Sequence, residues 1–254
     1  MPKTKNAQGQ NKDPDPDDAN RGTFPNTRPR DAATLILVDR SEPTPRVLVG
    51  RRHHGHVFMP GKIVFPGGRV DASDSRVPVA APIPDTLESL LIQGSPKVSP
   101  ARARALATAA IREACEETGL CLGRRAESLP SSLSGPWQPF AEAGLLPDPS
   151  SLFYIARAIT PAGRVRRFDT RFFTADASAI AHHVPGVIHA EAELVELVWM
   201  PMGSEPLADL HPMTKNVLKV LEKRLEKGPL SHRHPVPLFH FRNGAMLTDF
   251  ISIE

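Results

Sequence analysis

Arg112-Glu113-Ala114-Cys115-Glu116-Glu117-Thr118-Gly119-Leu120 places three carboxylates at i, i+3 and i+4. On a helix Glu113, Glu116 and Glu117 then stand beside one another over about one turn. Like charges that close repel by roughly 0.2–0.5 kcal/mol per pair even on an exposed helix. A hard divalent cation, Mg²⁺ or Mn²⁺, takes oxygen ligands from carboxylates and would supply the missing countercharge. The plainer alternative is a solvated, Glu-rich helix face, but the position of the acids argues against it. Ser99-Pro100 reads as N-cap and first helical residue, Ala101 to Ile111 is rich in strong helix formers, and Gly119 suits the left-handed residue that ends a helix. The three acids therefore crowd the negative end of the helix dipole, where anions are disfavoured. Residues kept where they reduce stability point to function.

A second piece lies upstream. Phe65-Pro66-Gly67-Gly68-Arg69-Val70-Asp71-Ala72-Ser73-Asp74 is a Gly-Gly turn that leaves an apolar run and precedes acidic residues. Such a turn is ordinary by itself. Its chemical use would be to bring backbone groups close to a metal or phosphate.

Together the two pieces resemble the nudix box, which reads Gly, five residues, Glu, seven residues, then Arg-Glu-apolar-x-Glu-Glu-x-Gly-apolar. Gly68 falls on the box glycine, Arg112 and Glu113 on its Arg-Glu pair, Glu116 and Glu117 on its Glu-Glu pair, and Gly119 and Leu120 on its closing pair. Ala114 is smaller than the family's apolar residue. Five residues beyond Gly68 stands Asp74, one methylene shorter than the family's Glu. Between Asp74 and Arg112 run Ser75 to Ile111, about thirty more residues than the family has there. Seven residues before Arg112 stands Arg104, which cannot ligate a metal, so the first box acid is expected at Asp74.

A box divided in this way is similar to a branch of the family whose members include coenzyme A diphosphatases. Leu48-Val49-Gly50-Arg51-Arg52, followed by Gly61 and Phe65-Pro66-Gly67-Gly68, matches in part a signature of coenzyme A enzymes, with Val57 where a second Arg belongs. The resemblance covers roughly Asp31 to Leu225. It implies an α/β (α+β) fold, an α/β/α sandwich with a mixed central sheet, a helical insertion within the box and a C-terminal hairpin. It also implies a hydrolase that cleaves a diphosphate linked to another moiety by attack of water on phosphorus. The substrate would be coenzyme A, acyl-coenzyme A or a nucleoside diphosphate derivative. Metal ligands would be Glu113, Glu116, Glu117 and Asp74, with backbone at Gly67 and Gly68. Glu113 and Glu116 would carry the chemistry, oriented by Arg112, while Arg51, Arg52 and Phe65 would touch substrate. The general base stays open between Glu113 and a later loop holding Glu191 and Glu193. Two other readings are a nucleotide-sensing module that has lost catalysis and an RNA-processing enzyme of the same fold.

Around these residues the chain supplies a scaffold. Residues 1–30 are polar, charged and Pro-containing and are expected to be a disordered tail. Residues 31–254 are expected to form one domain, with 75–104 as the insertion and 228–254 as a C-terminal extension. Strands are expected at 32–38, 46–50, 62–65, 152–159, 168–175 and 194–199, and helices at 85–93 and 209–226. The 176–193 connection reads as a polar, His-containing loop. Asn243-Gly244 between two apolar runs signals a hairpin.

Net charge is +3 with dispersed basic residues and no aromatic strip beside them, which points to a small anionic substrate rather than nucleic acid. Cys115 and Cys121 are the only cysteines and read as reduced thiols. His53-His54-x-His56, His182-His183 and His232-x-His234 lack the spacing of a zinc site. With no apolar run of membrane length and no signal-peptide core, a cytoplasmic protein without a membrane partner is expected. Oligomeric state stays open, a homodimer included.

Overall fold

The computed structural model describes residues 27–253 apart from 54, 56–60, 131–132, 165, 206 and 208–209. Most of the expected disordered tail, together with His54, His56 and Val57, lies outside the described residues. The first strand, β1 (Arg30–Asp39), shows how the layers arise. Successive side chains of a strand point to opposite faces. Ala33, Leu35 and Leu37 enter one apolar cluster, with residues of the two large helices on that face. Ile36 and Val38 enter the other, with Val217 and Leu221 of the last helix. Apolar residues on both faces of one strand require cover on both faces, and a helix–sheet–helix sandwich provides it.

The sheet is mixed. Its strand order is β10 (Leu194–Pro201), β2 (Arg46–Arg52), β1, β8 (Phe168–Asp176), β7 (Phe153–Ile159), β11 (Val236–Arg242) and β12 (Ala245–Ile251). Two short strands, β3 (Ile63–Val64) and β4 (Gly67–Arg69), pair with β2 and β1. β1 runs parallel to β8, and β11 parallel to β7; the remaining pairings are antiparallel. Asn243 (φ 52°) and Gly244 (φ 79°) both take left-handed backbone, as a tight β11–β12 turn requires.

On one face lie α1 (Asp85–Gln93) and α2 (Pro100–Thr118), and on the other α4 (Pro212–Glu226). A short α3 (Gln138–Glu142) packs beside a second, three-stranded sheet of β6 (Leu145–Pro147), β5 (Leu120–Arg125) and β9 (Ile180–His183). That sheet corrects the reading of 176–193 as a loop. No described helix is long and apolar enough to cross a membrane.

α2 starts at Ser99, whose Oγ accepts from the Arg102 N–H at 3.2 Å, with Pro100 in the first turn. It ends at Gly119, φ 75°, whose N–H donates to the Cys115 carbonyl at 2.8 Å. The reversal at Gly119 also corrects the reading of the cysteines. It brings Cys121 of β5 back beneath the helix, with the two Cα atoms 4.8 Å apart, and Cys115 and Cys121 are joined as a disulfide.

Candidate active site

The C-terminal turns of α2, the β4 turn and a short helical turn at Ser73–Ser75 meet around one guanidinium. Arg112 Nε donates to Asp74 Oδ1 at 2.7 Å and Nη2 to Asp74 Oδ2 at 3.1 Å. Nη2 also donates to the Arg69 carbonyl at 2.8 Å. Nη1 donates to Glu113 Oε1 and to Glu116 Oε2, each at 2.9 Å. All five N–H donors of an arginine are thereby used. Burial would lower its pKa, but Asp74, Glu113 and Glu116 outweigh burial and hold the guanidinium more firmly protonated than usual.

Asp74 is fully buried, and both its oxygens are taken: the Asp71 N–H reaches Oδ2 at 2.7 Å, beside the two bonds from Arg112. Its backbone carbonyl accepts from Thr108 Oγ1 at 2.7 Å, which ties the end of the β4 segment to the middle of α2. Arg112 stands between Asp74 and the Glu113–Glu116 pair.

Gly67 and Gly68 are dictated by close approach. A Cβ on Gly67 would lie 2.6 Å from the Ala33 carbonyl oxygen, and one on Gly68 would lie 2.5 Å from Glu113 Oε2. Only glycine lets this turn run antiparallel to β1, Gly68 opposite Ala33 and Gly67 opposite Thr34, while seating the Glu113 carboxylate against the backbone. The Gly67 N–H donates to Glu117 Oε2 at 3.1 Å.

The glutamates pay electrostatically for this crowding. Burial pushes Glu113 up to about 7 against the pull of Arg112. Burial also raises Glu116. Glu117 is driven well above the ordinary carboxylate range by burial, then by the charges of Glu193 and Glu113, against the Gly67 N–H and Arg52. Among the described residues, no three His, Cys, Asp or Glu side chains already surround a single metal position. The donors are hard oxygens all the same, and their raised pKa values mark anions short of countercharge.

Glu193, from the connection ahead of β10, is bound to Arg52 through its carboxylate, and the Glu193 carbonyl accepts from the His53 N–H at 3.1 Å. Arg51 pairs with Glu196 at 3.0 Å. Of these, Arg52 and Glu193 act electrostatically on Glu117. Phe65 does not face any opening: it is 6% exposed and belongs to the core cluster beneath α4, so its side chain is spent on packing.

Glu113, Glu116 and Arg112 form one end of an open groove of about 1290 Å³. It runs past Asp71 and Arg69 to the start of β1, the Ser95–Ser99 segment, Arg102 and Arg157. Arg51, Arg52 and Phe65 are not among its lining residues. The groove's far wall was missed from sequence, because residues 28–31 read only as the edge of a tail.

No family model matches the chain. Several solved structures are similar to it and are nudix hydrolases. One from Alicyclobacillus acidocaldarius is 26% identical, over 86% of this chain and 88% of that one, with a TM-score of 0.49. The nudix hydrolase RenU from M. smegmatis is 18% identical over 80% and 89% of the two chains, with a TM-score of 0.41. The nudix domain of Shewanella oneidensis NrtR, solved with ADP ribose, is 13% identical over 78% and 90%, with a TM-score of 0.42.

Proposed function

We propose that this protein is a divalent-metal-dependent hydrolase of the nudix type that cleaves a diphosphate linked to another moiety, by attack of water on phosphorus. The observation that carries the reading is the single guanidinium of Arg112, which gathers Asp74, Glu113 and Glu116 although Asp74 and Arg112 are thirty-eight positions apart. A solvated acidic helix face needs no such partner from a distant turn.

Glu113, Glu116 and Glu117, with backbone at Gly67-Gly68, would hold Mg²⁺ or Mn²⁺. When bound, the ion supplies Lewis-acid activation of water and charge neutralisation at phosphorus. The chain's own residues do the rest. Arg112 holds Glu113 and Glu116 in place by charge-assisted hydrogen bonds to one oxygen of each. Asp74, buried and saturated, acts through Arg112 rather than as a ligand. Glu113, beside the groove, is one candidate to accept the proton of the attacking water where it does not itself hold the ion. Glu193 is the alternative base, because it faces Glu117.

Coenzyme A or acyl-coenzyme A, and other nucleoside diphosphate derivatives, are the substrate candidates. The test is phosphate release with Mg²⁺ or Mn²⁺ over coenzyme A, acyl-coenzyme A, ADP-ribose, reduced dinucleotides, dinucleoside polyphosphates and nucleoside triphosphates. Glu116→Gln should abolish turnover without lowering the melting temperature. Undiminished activity of that variant would remove the assignment, and binding without turnover in the parent protein would favour a sensing module.

A further inference from the structure

The disulfide lies within the candidate site rather than apart from it. Cys115 stands in the last turns of α2 between Glu113 and Glu116, and Cys121 is the second residue of β5. Glu116 and Glu117 therefore sit inside the small ring that the bond closes. Both cysteines are buried in the apolar cluster that α2 shares with the sheet, at 2% and 0% exposure.

What the bond restrains follows from what is held in other ways. Cys121 belongs to the middle strand of its sheet and is paired with His182 of β9. The Gly119 carbonyl accepts from the Val184 N–H at 2.8 Å, and a Cβ on Gly119 would lie 2.4 Å from the Val184 carbonyl oxygen. The reversal is thus wedged against the chain leaving β9, with or without the disulfide. The end of α2 is the softer side, because the last four carbonyls of a helix have no intrahelical partner. Breaking the bond leaves two thiols that need more room, and a close-packed interior yields room only by moving. The movement falls on the turn that carries Glu116 and Glu117. Their hydrogen bonds, from Arg112 at 2.9 Å and from the Gly67 N–H at 3.1 Å, tolerate little displacement, and Mg²⁺ demands near-ideal ligand geometry.

Resting on the metal-site reading above, we propose that metal binding at Glu116 and Glu117 is under redox control by the Cys115–Cys121 pair. The disulfide form holds the last turn of α2 in the metal-binding geometry, and the dithiol form releases it. The reductant is a dithiol. One of its sulfurs attacks the protein disulfide and displaces the first cysteine as a thiol, and its second sulfur then releases the other. The S–S bond passes to the reductant, and two electrons and two protons pass to the protein. A disulfide oxidant reverses the exchange. Because neither cysteine is exposed, attack requires the last turn to open, and an ion held by Glu116 and Glu117 opposes that opening. The coupling is reciprocal: the factor by which the disulfide tightens metal binding is the factor by which metal protects the disulfide.

The test uses the full chain, oxidised or reduced with dithiothreitol, with thiol titration to confirm each state. Calorimetric titration with Mg²⁺ should show about 10–100-fold weaker binding to the reduced protein, as for loss of an outer support of a metal ligand. Far-ultraviolet circular dichroism of the two forms should coincide, which separates this loss from unfolding. Turnover of the reduced form should fall at limiting Mg²⁺ and recover at saturating Mg²⁺. Cys115→Ala/Cys121→Ala should bind Mg²⁺ as the reduced protein does and ignore dithiothreitol. In the other direction, Mg²⁺ should raise the ratio of reduced to oxidised dithiothreitol needed for half reduction by a similar factor. Glu116→Gln should remove that shift.

Equal Mg²⁺ affinity in the two redox states, with the half-reduction ratio unmoved by Mg²⁺, would overturn the proposal and leave the metal site standing. Binding of Mg²⁺ to neither state would sink the metal-site reading itself. Weaker binding accompanied by loss of the circular dichroism signal would overturn the proposal in favour of a purely structural link.

Discussion

Replacing Asp74 by Asn separates two roles that chain spacing alone cannot tell apart. The change keeps the size of a side chain with 0% exposure, and removes the charge from an ion pair whose arginine partner is 6% exposed. Breaking a buried pair by removing one charge costs about 3–5 kcal/mol, because the other is left uncompensated. Arg112 retains Glu113 and Glu116, and Asn still offers one acceptor, so the lower end, about 3 kcal/mol, is expected. In a chain of this length that corresponds to a fall of about 6–12 °C in melting temperature. Differential scanning calorimetry of the metal-free protein measures it. Turnover should fall about 10–100-fold as Arg112 loses its anchor and closes on the two glutamates. If Asp74 were instead a direct metal ligand, the metal-free protein would keep its melting temperature and only the metal-bound form would lose stability. That result would refute the assignment of Asp74 to Arg112.

Three further outcomes follow from the same geometry. Gly68→Ala should lower Mg²⁺ affinity and turnover together, measured by titration and phosphate release, since its Cβ would sit 2.5 Å from Glu113 Oε2. Glu113 titrates near 7 in the fold against 4.5 when unfolded, so the metal-free fold is relatively favoured below pH 4.5 and loses on the order of 3 kcal/mol as pH rises through about 7. The thermal upshift produced by Mg²⁺ should therefore be larger at pH 8 than at pH 5.5, and an upshift independent of pH would contradict this. The Cys115–Cys121 link closes a loop of separation 6, which limits its entropic contribution to about 2 kcal/mol. Thiol titration of the unreduced, denatured protein should find no free thiol, and dithiothreitol should lower the melting temperature by only a few degrees, about 4–8 °C.

The sequence was most readable where local chemistry decides the backbone. Ser99, Pro100 and Gly119 bound α2 because capping and left-handed geometry are properties of those residues themselves. Leu87, Leu90 and Leu91 announced α1 by period alone, and all three are buried. β9 was illegible for the opposite reason. Ile180–His183 has no alternation of apolar and polar residues, and it is a strand only because β5 lies beside it. The cysteines likewise looked unrelated until the reversal at Gly119 brought them together. At the candidate site, spacing could nominate Asp74 but could not show that Arg112 takes both its oxygens. It marked Phe65 by its neighbours Gly67 and Gly68, although that side chain faces the core. Partners that meet through the fold leave no local signal, and the pairing of Arg102 with Asp31 is of this kind.

The long connection between Asp74 and Arg112 also has a consequence for assembly. Asp74 and Arg112 can meet only after the chain between them closes a loop of thirty-eight residues, yet the entropy of loop closure grows only with the logarithm of length. Lengthening a connection of seven or eight residues to this span is a little more than two doublings, about 1.5 kcal/mol. Burying Leu87, Leu90 and Leu91 against α2 and the sheet offsets that amount, because each such side chain contributes about 1.5–3 kcal/mol when fully buried. A connection that folds onto the core can thus separate two parts of one cluster without weakening it.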